Sequence, residues 1–167
     1  FYLEQGDVEG ARAYLASVSK AVAAGTAVVD THNPLLDAVL SKEYRQAARS
    51  GVLLNFDLCD LARFPLQNAE LVTLFCNLLD NAIRGAAEAD PPQVTLRIKK
   101  LDGAFVISVR NRVARDIPLT AGELPASTKA EPGHGMGLAN VQSVLERYGG
   151  EYVLSCRNRW VCFTGSV

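Results

Sequence analysis

Leu74-Phe75-Cys76-Asn77-Leu78-Leu79-Asp80-Asn81-Ala82-Ile83-Arg84 carries two patterns at once. Leu71, Leu74, Phe75, Leu78, Ala82 and Ile83 recur at the spacing of one helix face. They predict a long helix with that face turned inward, capped by Asn68 and ended by Asp90-Pro91-Pro92. Asn77, Asn81, Arg84 and Glu88 follow at steps of four, three and four and share another face. Two carboxamides and a guanidinium in a row suit a metal-bound polyphosphate, because an amide oxygen is a hard donor for Mg²⁺ and a guanidinium offsets phosphate charge. The same row also fits a plain solvated face, and the helix alone leaves both open.

Downstream, Val94, Leu96 and Ile98 alternate, Asp102-Gly103 is a type I′ turn signal, and Phe105, Ile107 and Val109 alternate again. That predicts a β-hairpin. Residues of about 112–132 hold Pro118, Gly122, Pro125 and Pro132 without periodicity, which marks a functional lid or an unstructured stretch. Gly133-His134-Gly135-Met136-Gly137-Leu138 then leads into a last helix from about Gly137 to Tyr148, stopped by Gly149-Gly150, and two strands around an Arg157-Asn158 turn finish the chain. Alternating glycines let backbone N–H groups crowd an anion at a helix N-terminus, so the string is a phosphate cradle or a flexible hinge. It is not a P-loop, since no Lys-Ser or Lys-Thr follows. Nor is it a dinucleotide fingerprint: it follows a loop, and Arg157 stands about 20 residues on where an acid belongs.

Upstream, Asn33-Pro34 starts a helix whose buried stripe is Leu36, Val39, Leu40, Tyr44 and Ala47, Gly51 stops it, and Val52 to Leu58 reads as a strand. Val8, Ala11, Leu15, Val18 and Val22 predict an amphipathic helix over about 8–24, with Phe1 to Gln5 as the last turn of a preceding one. This portion is expected to be the remainder of a helical hairpin, and the chain a piece of a longer protein. The apolar stretch Ala21 to Val29 is shorter than the roughly 20 residues a bilayer needs, so any membrane part is expected upstream. With 49% hydrophobic and 21% charged residues, the composition is that of one globular domain with something small attached. Seventeen Lys and Arg against 18 Asp and Glu leave no basic excess, which argues against nucleic acid as a partner. The four cysteines form no C-x-x-C pair and read as buried reduced thiols rather than a disulfide framework or a metal site.

Taken in order, these motifs resemble the GHKL ATPase superfamily and, within it, sensor histidine kinases of the peptide quorum-sensing (Agr receptor kinase-like) subgroup. Leu74 through Ala86 is similar to their N box and Gly133 through Asn140 to their G2 box. Ser127-Thr128-Lys129 is similar to the hydroxyl-and-lysine motif of the ATP lid, and Leu36 through Lys42, with Ala47 and Gly51, to the first catalytic-domain helix. The resemblance implies an α/β sandwich in which a mixed sheet of about five strands packs on three helices. It divides the chain into a hairpin remnant over 1–27 and an ATP-binding catalytic domain over 31–167, with the lid at about 112–132.

The resemblance also implies ATP and Mg²⁺ as ligands. Asn81 would ligate Mg²⁺, Asn77 and Arg84 would orient the phosphates, and Lys129, Gly133, His134, Gly135, Gly137 and Leu138 would surround them. His134 would touch phosphate or merely cap the helix. The place of the family's adenine-binding Asp-x-Gly-x-Gly is held by Ser108-Val109-Arg110-Asn111-Arg112-Val113, in which Asn111 keeps a carbonyl acceptor and both glycines are absent. The hydrolytic branch of the superfamily places a water-activating Glu where this chain has Asn77, so phosphoryl transfer is favoured over hydrolysis. Implied partners are a second copy through the hairpin and a response regulator, and the implied setting is the cytoplasmic portion of a membrane sensor. The acceptor histidine would lie on a helix upstream of Phe1. His32 reads as a surface turn residue, without an acid beside it in sequence. Two other classes fit parts of the pattern: an anti-sigma-type GHKL serine kinase, which lacks the hairpin, and a non-catalytic kinase domain kept for dimerisation or regulator docking.

Overall fold

The computed structural model describes residues 28–119 and 137–167. The elements run α1 (Pro34–Arg49), β1 (Leu53–Leu58), α2 (Asn68–Ala86), β2 (Gln93–Leu101), β3 (Ala104–Arg112), α3 (Gly137–Arg147), β4 (Tyr152–Arg157) and β5 (Trp160–Ser166). The hairpin remnant expected over 1–27 lies outside the described residues.

α1 begins where Asn33 accepts a hydrogen bond from the Leu36 amide at 3.2 Å, with Pro34 supplying a pre-set φ at the first helical position. It ends at Gly51, whose φ of 70° is open to glycine at little strain. Leu36, Val39, Leu40 and Ala47 are buried as expected, but Tyr44 is not. Glu43 takes the fourth place in the stripe, fully buried, while Tyr44 lies 38% exposed against Phe56, ring centroids 6.2 Å apart. Periodicity favours an aromatic over an acid at such a position, and only contacts from another helix reverse that preference.

α2 carries Leu71, Leu74, Phe75, Leu78, Ala82 and Ile83 inward, as its period requires. Its cap is Gln67 rather than Asn68, which is the first helical residue, and no side chain caps the turn. The Gln67 amide donates instead to the Tyr148 hydroxyl at 3.2 Å. The helix stops at Ala86, ahead of Asp90-Pro91-Pro92, so Glu88 falls beyond its end and drops out of the row of polar residues.

α2 is the crossover between β1 and β2, which pair in parallel with Leu54 opposite Val94. The remaining pairs are antiparallel, and the five-stranded sheet has the order β1-β2-β3-β5-β4. Asp102 and Gly103, with φ of 49° and 90°, make the expected turn between β2 and β3. The β4–β5 turn lies at Asn158-Arg159, one residue later than expected, both residues having positive φ. Val94, Leu96, Ile98, Phe105, Ile107, Val109 and Phe163 point to the helical side and are buried. Phe64, from the loop before α2, locks this core, its ring 5.8 Å from Phe75 and 5.0 Å from Phe105. The result is a two-layer α/β sandwich of a mixed five-stranded sheet and three helices among the described residues, as expected.

Candidate functional site

α3 packs along α2 with its first residue set on the two amides of the polar row. A Cβ on Gly137 would stand 2.9 Å from Asn77 Oδ1 and 3.2 Å from Asn81 Nδ2, so any larger residue would have to displace one of the amides. Asn77 Nδ2 donates to the Thr73 carbonyl at 2.7 Å, which pins the amide and turns Oδ1 toward α3. Among the described residues no hydrogen bond engages the half-buried Asn81 side chain, leaving its oxygen available as a hard donor. The first turn of α3 carries no acidic residue, so its positive dipole end meets no carboxylate from within that turn.

The other end of the row is built on Gly85. A Cβ there would lie 3.0 Å from Asn111 Nδ2 and 3.8 Å from Val113 Cγ1, so the end of β3 sits directly on α2. Asn111 is buried, and its Nδ2 donates to the Arg112 carbonyl at 3.0 Å, leaving Oδ1 as an acceptor. Asn77, Asn81 and Gly85 stand at successive steps of four, about 12 Å along one helix face. That face runs from the positive dipole end of α3 to the buried Asn111 amide.

Two contacts hold α2 in this geometry. At its first turn Glu70 receives Arg147 Nη1 at 2.5 Å and the Tyr148 hydroxyl, clasping the far end of α3. The Tyr148 hydrogen bond, with Arg147 adding to it, holds the Glu70 carboxyl below its ordinary value. On the α1 side, Gln46 donates to Asp80 at 2.7 Å, so the acid between the two asparagines faces α1. Glu43 there accepts from Lys42 Nζ at 3.1 Å and from the Cys76 thiol at 3.7 Å, while its second oxygen is unpartnered among the described residues. Burial, reinforced by Asp80, pushes the Glu43 carboxyl above its ordinary value.

Of the residues expected in the site, Asn77, Asn81, Gly137 and Asn111 line one continuous face with Gly85. Leu138 is half-buried in the first turn of α3, and Arg84 is exposed in the last turn of α2. Lys129, Gly133, His134 and Gly135 lie outside the described residues, as does the lid from 120 onward. Of its earlier part, Arg112 closes β3 and Val113 is buried, its amide donating to the Arg159 carbonyl at 3.0 Å. Gly85 was not anticipated, although a glycine inside a helix costs about 1 kcal/mol against alanine and asks for a reason. Asn140, the last residue of the stretch likened to the G2 box, has its Nδ2 buried without a partner among the described residues. His32 is exposed with φ of 61° in a turn, as expected, but its Nδ1 lies 3.3 Å from Asp60, a carboxylate supplied across the fold and invisible beside it in sequence. The four cysteines form no disulfide and are half-buried rather than buried, and no cluster of metal ligands occurs among the described residues.

The fold recurs in solved structures. The chain is similar to the catalytic domain of histidine kinase ThkA at 20% identity and a TM-score of 0.65, over 83% of this chain and 92% of that one. It is similar to the mycobacterial sensor histidine kinase MprB at 20% and 0.59, over 79% and 91%. Full-length ShkA in complex with AMPPNP matches at 19% and 0.62, over 83% of this chain and 30% of that one. No curated protein matches the sequence. A family profile described as the GHKL domain matches residues 66–164, well over half of the sequence and every element of the face just described, and the chain therefore belongs to the GHKL domain family.

Proposed function

We propose that this chain is the ATP-binding catalytic domain of a sensor histidine kinase, moving the γ-phosphoryl of ATP to a histidine imidazole for relay to a response regulator. The observation that carries this is the seating of the α3 N-terminus on Asn77 and Asn81, with the Asn111 acceptor held at the other end of the same helix face. AMPPNP in the ShkA complex is an ATP analogue, which supports a nucleotide on this fold.

In this reading Asn111 Oδ1 accepts from the adenine amino group, and Gly85 lets the Nδ2 side of the same amide pack on α2. Asn77 and Arg84 orient the phosphates, while the N–H groups at Gly133, Gly135 and Gly137, with Lys129, His134 and Leu138 around them, balance the charge on the transferring group. The open Asn81 oxygen fits a hard cation, and a Mg²⁺ held there would neutralise phosphate charge. Asn77 cannot take a proton from water, which directs the phosphoryl group to an imidazole rather than to hydrolysis. The finer assignment to the peptide quorum-sensing subgroup, with dimerisation through residues 1–27 and a cytoplasmic setting, rests on the likeness of Leu36 through Lys42 and of Asn111 to that subgroup. No helix among the described residues is long and apolar enough to cross a membrane.

Calorimetric titration with Mg²⁺-ATP tests the site: Asn81→Ala should keep its circular dichroism and lose at least tenfold in affinity. Unchanged affinity in a folded variant would remove Asn81 from it. Radiolabelled ATP, offered with a histidine-bearing dimerisation helix, tests the reaction. Acid-labile label supports a histidine kinase, acid-stable label points to a serine kinase, and no label to a domain kept for docking.

A further inference from the structure

The sheet face turned away from the helices carries a cationic cluster that the nucleotide site does not use. Val109 and Asn111 point to the helical side and are buried, so Arg110 and Arg112 on the same strand point to the other. Register places Trp160 of β5 opposite Arg112 on one side and opposite Arg157 of β4 on the other, so the three stand in a row across three strands. Trp160, the only tryptophan in the chain, lies under Arg110 at 4.0 Å from ring centroid to guanidinium carbon and under Arg112 at 5.1 Å.

None of these three arginines is ion-paired among the described residues. The other end of the same face behaves differently: Arg97, at 2.7 Å, and Lys99 both close on Asp57. The nearby Asp116 is committed to the β4–β5 turn, accepting the Arg159 amide at 2.5 Å and the Cys156 thiol at 3.7 Å. Among the described residues, guanidiniums without a carboxylate partner around a half-covered indole therefore mark the β3–β5–β4 end of this face, where Arg112 donates only to the Asp90 carbonyl at 3.4 Å.

We propose that this end of the sheet docks an acidic segment of a partner protein, with its carboxylates received by Arg110, Arg112 and Arg157 and its chain laid against Trp160. Guanidinium forks match carboxylates two hydrogen bonds at a time, and Arg and Trp are the residues that most often dominate protein interfaces. Nucleic acid fits less well, because a chain of net charge −1 has no wider basic field to hold a phosphate backbone. A bilayer fits less well too, since Trp160 is covered by guanidinium instead of projecting as an anchor.

Trp160 reports on its own site. Titrating the whole chain with poly-L-glutamate while reading tryptophan emission and the anisotropy of labelled peptide should give one saturable transition that weakens with salt. The double variant Arg110→Gln/Arg157→Gln should lose at least tenfold in affinity for the peptide and keep its affinity for Mg²⁺-ATP. Arg110→Lys/Arg157→Lys, which retains charge without the planar fork, should lose less. The proposal is overturned if poly-L-glutamate leaves the emission unchanged, if either variant binds it as the parent does, or if single-stranded DNA or phosphatidylserine vesicles bind more tightly than the peptide.

Discussion

Gly137→Ala adds one methyl group where α3 meets α2, and the structure determines what it meets. The new carbon would sit 2.9 Å from Asn77 Oδ1 and 3.2 Å from Asn81 Nδ2, both inside ordinary van der Waals contact. Asn77 cannot swing aside freely, because its Nδ2 is bonded to the Thr73 carbonyl at 2.7 Å and breaking that bond costs about 0.5–1.5 kcal/mol. Shifting α3 instead strains a packed interface, an effect of about 1–3 kcal/mol. Alanine recovers at most about 1 kcal/mol of helix propensity. The net expectation is a destabilisation of about 1–2 kcal/mol by urea unfolding, with a loss of Mg²⁺-ATP affinity of at least tenfold by calorimetry. The double variant Gly137→Ala/Asn77→Ala removes the closer of the two contacts and should lose less stability than the two single losses added together, a coupling above about 0.5 kcal/mol, without regaining ATP binding. If Gly137→Ala alone matches the parent in both stability and affinity, the amides are not packed on the first turn of α3 and the reasoning fails.

Gly150→Ala should cost more than about 3 kcal/mol or prevent folding, because its Cβ would fall 1.9 Å from the Ser166 carbonyl oxygen and backbone cannot give way as a side chain can; urea unfolding measures it. Glu43→Gln should change the pH dependence of stability. With its folded value above 4.5, the parent holds more protons folded than unfolded through that window and loses stability as pH rises, so the stability of the variant relative to the parent should climb from about pH 4.5 upward. Glu70→Gln has the opposite sign. The parent carboxyl titrates below 4.5 and stabilises the fold above it, so the variant should be weaker by about 1–2 kcal/mol at neutral pH and the difference should shrink as pH falls below 4.5. An unchanged difference across the acid range would show that the Tyr148 and Arg147 contacts do not favour the ionised form of Glu70.

What could be read from the sequence was local. The inward face of α2 follows from its period, and the β2–β3 hairpin follows from alternation on both sides of Asp102-Gly103, because each signal lies within a few residues of what it determines. What could not be read depends on distant partners. Tyr44 and Glu43 exchange places in the α1 stripe because Cys76, 33 positions away, gives the acid a contact. Asn68 yields the cap position because Gln67 is met by Tyr148, and that tyrosine reaches Glu70 across 78 positions. The β4–β5 turn moves by one residue because the pairing of Ser155 with Cys162 sets the register, and Arg159 accepts a positive φ to satisfy it. The site divides in the same way: Asn77 and Asn81 were visible as a pair, whereas their contact with Gly137, and that of Gly85 with Asn111, exist only once the sheet and helices assemble.

The side-chain amides of the asparagines themselves give the most direct test of the nucleotide site. In a ¹⁵N-labelled chain titrated with Mg²⁺-ATP, the side-chain NH₂ resonances of Asn77, Asn81 and Asn111 should move together and saturate at one common affinity. Those of Asn55, on the opposite sheet face, and of Asn158, in the β4–β5 turn, should stay in place. Saturable shifts confined to Asn55 or Asn158, or no shift at Asn77 and Asn81 while ATP is bound, would contradict a nucleotide lying along α2 between Gly137 and Asn111.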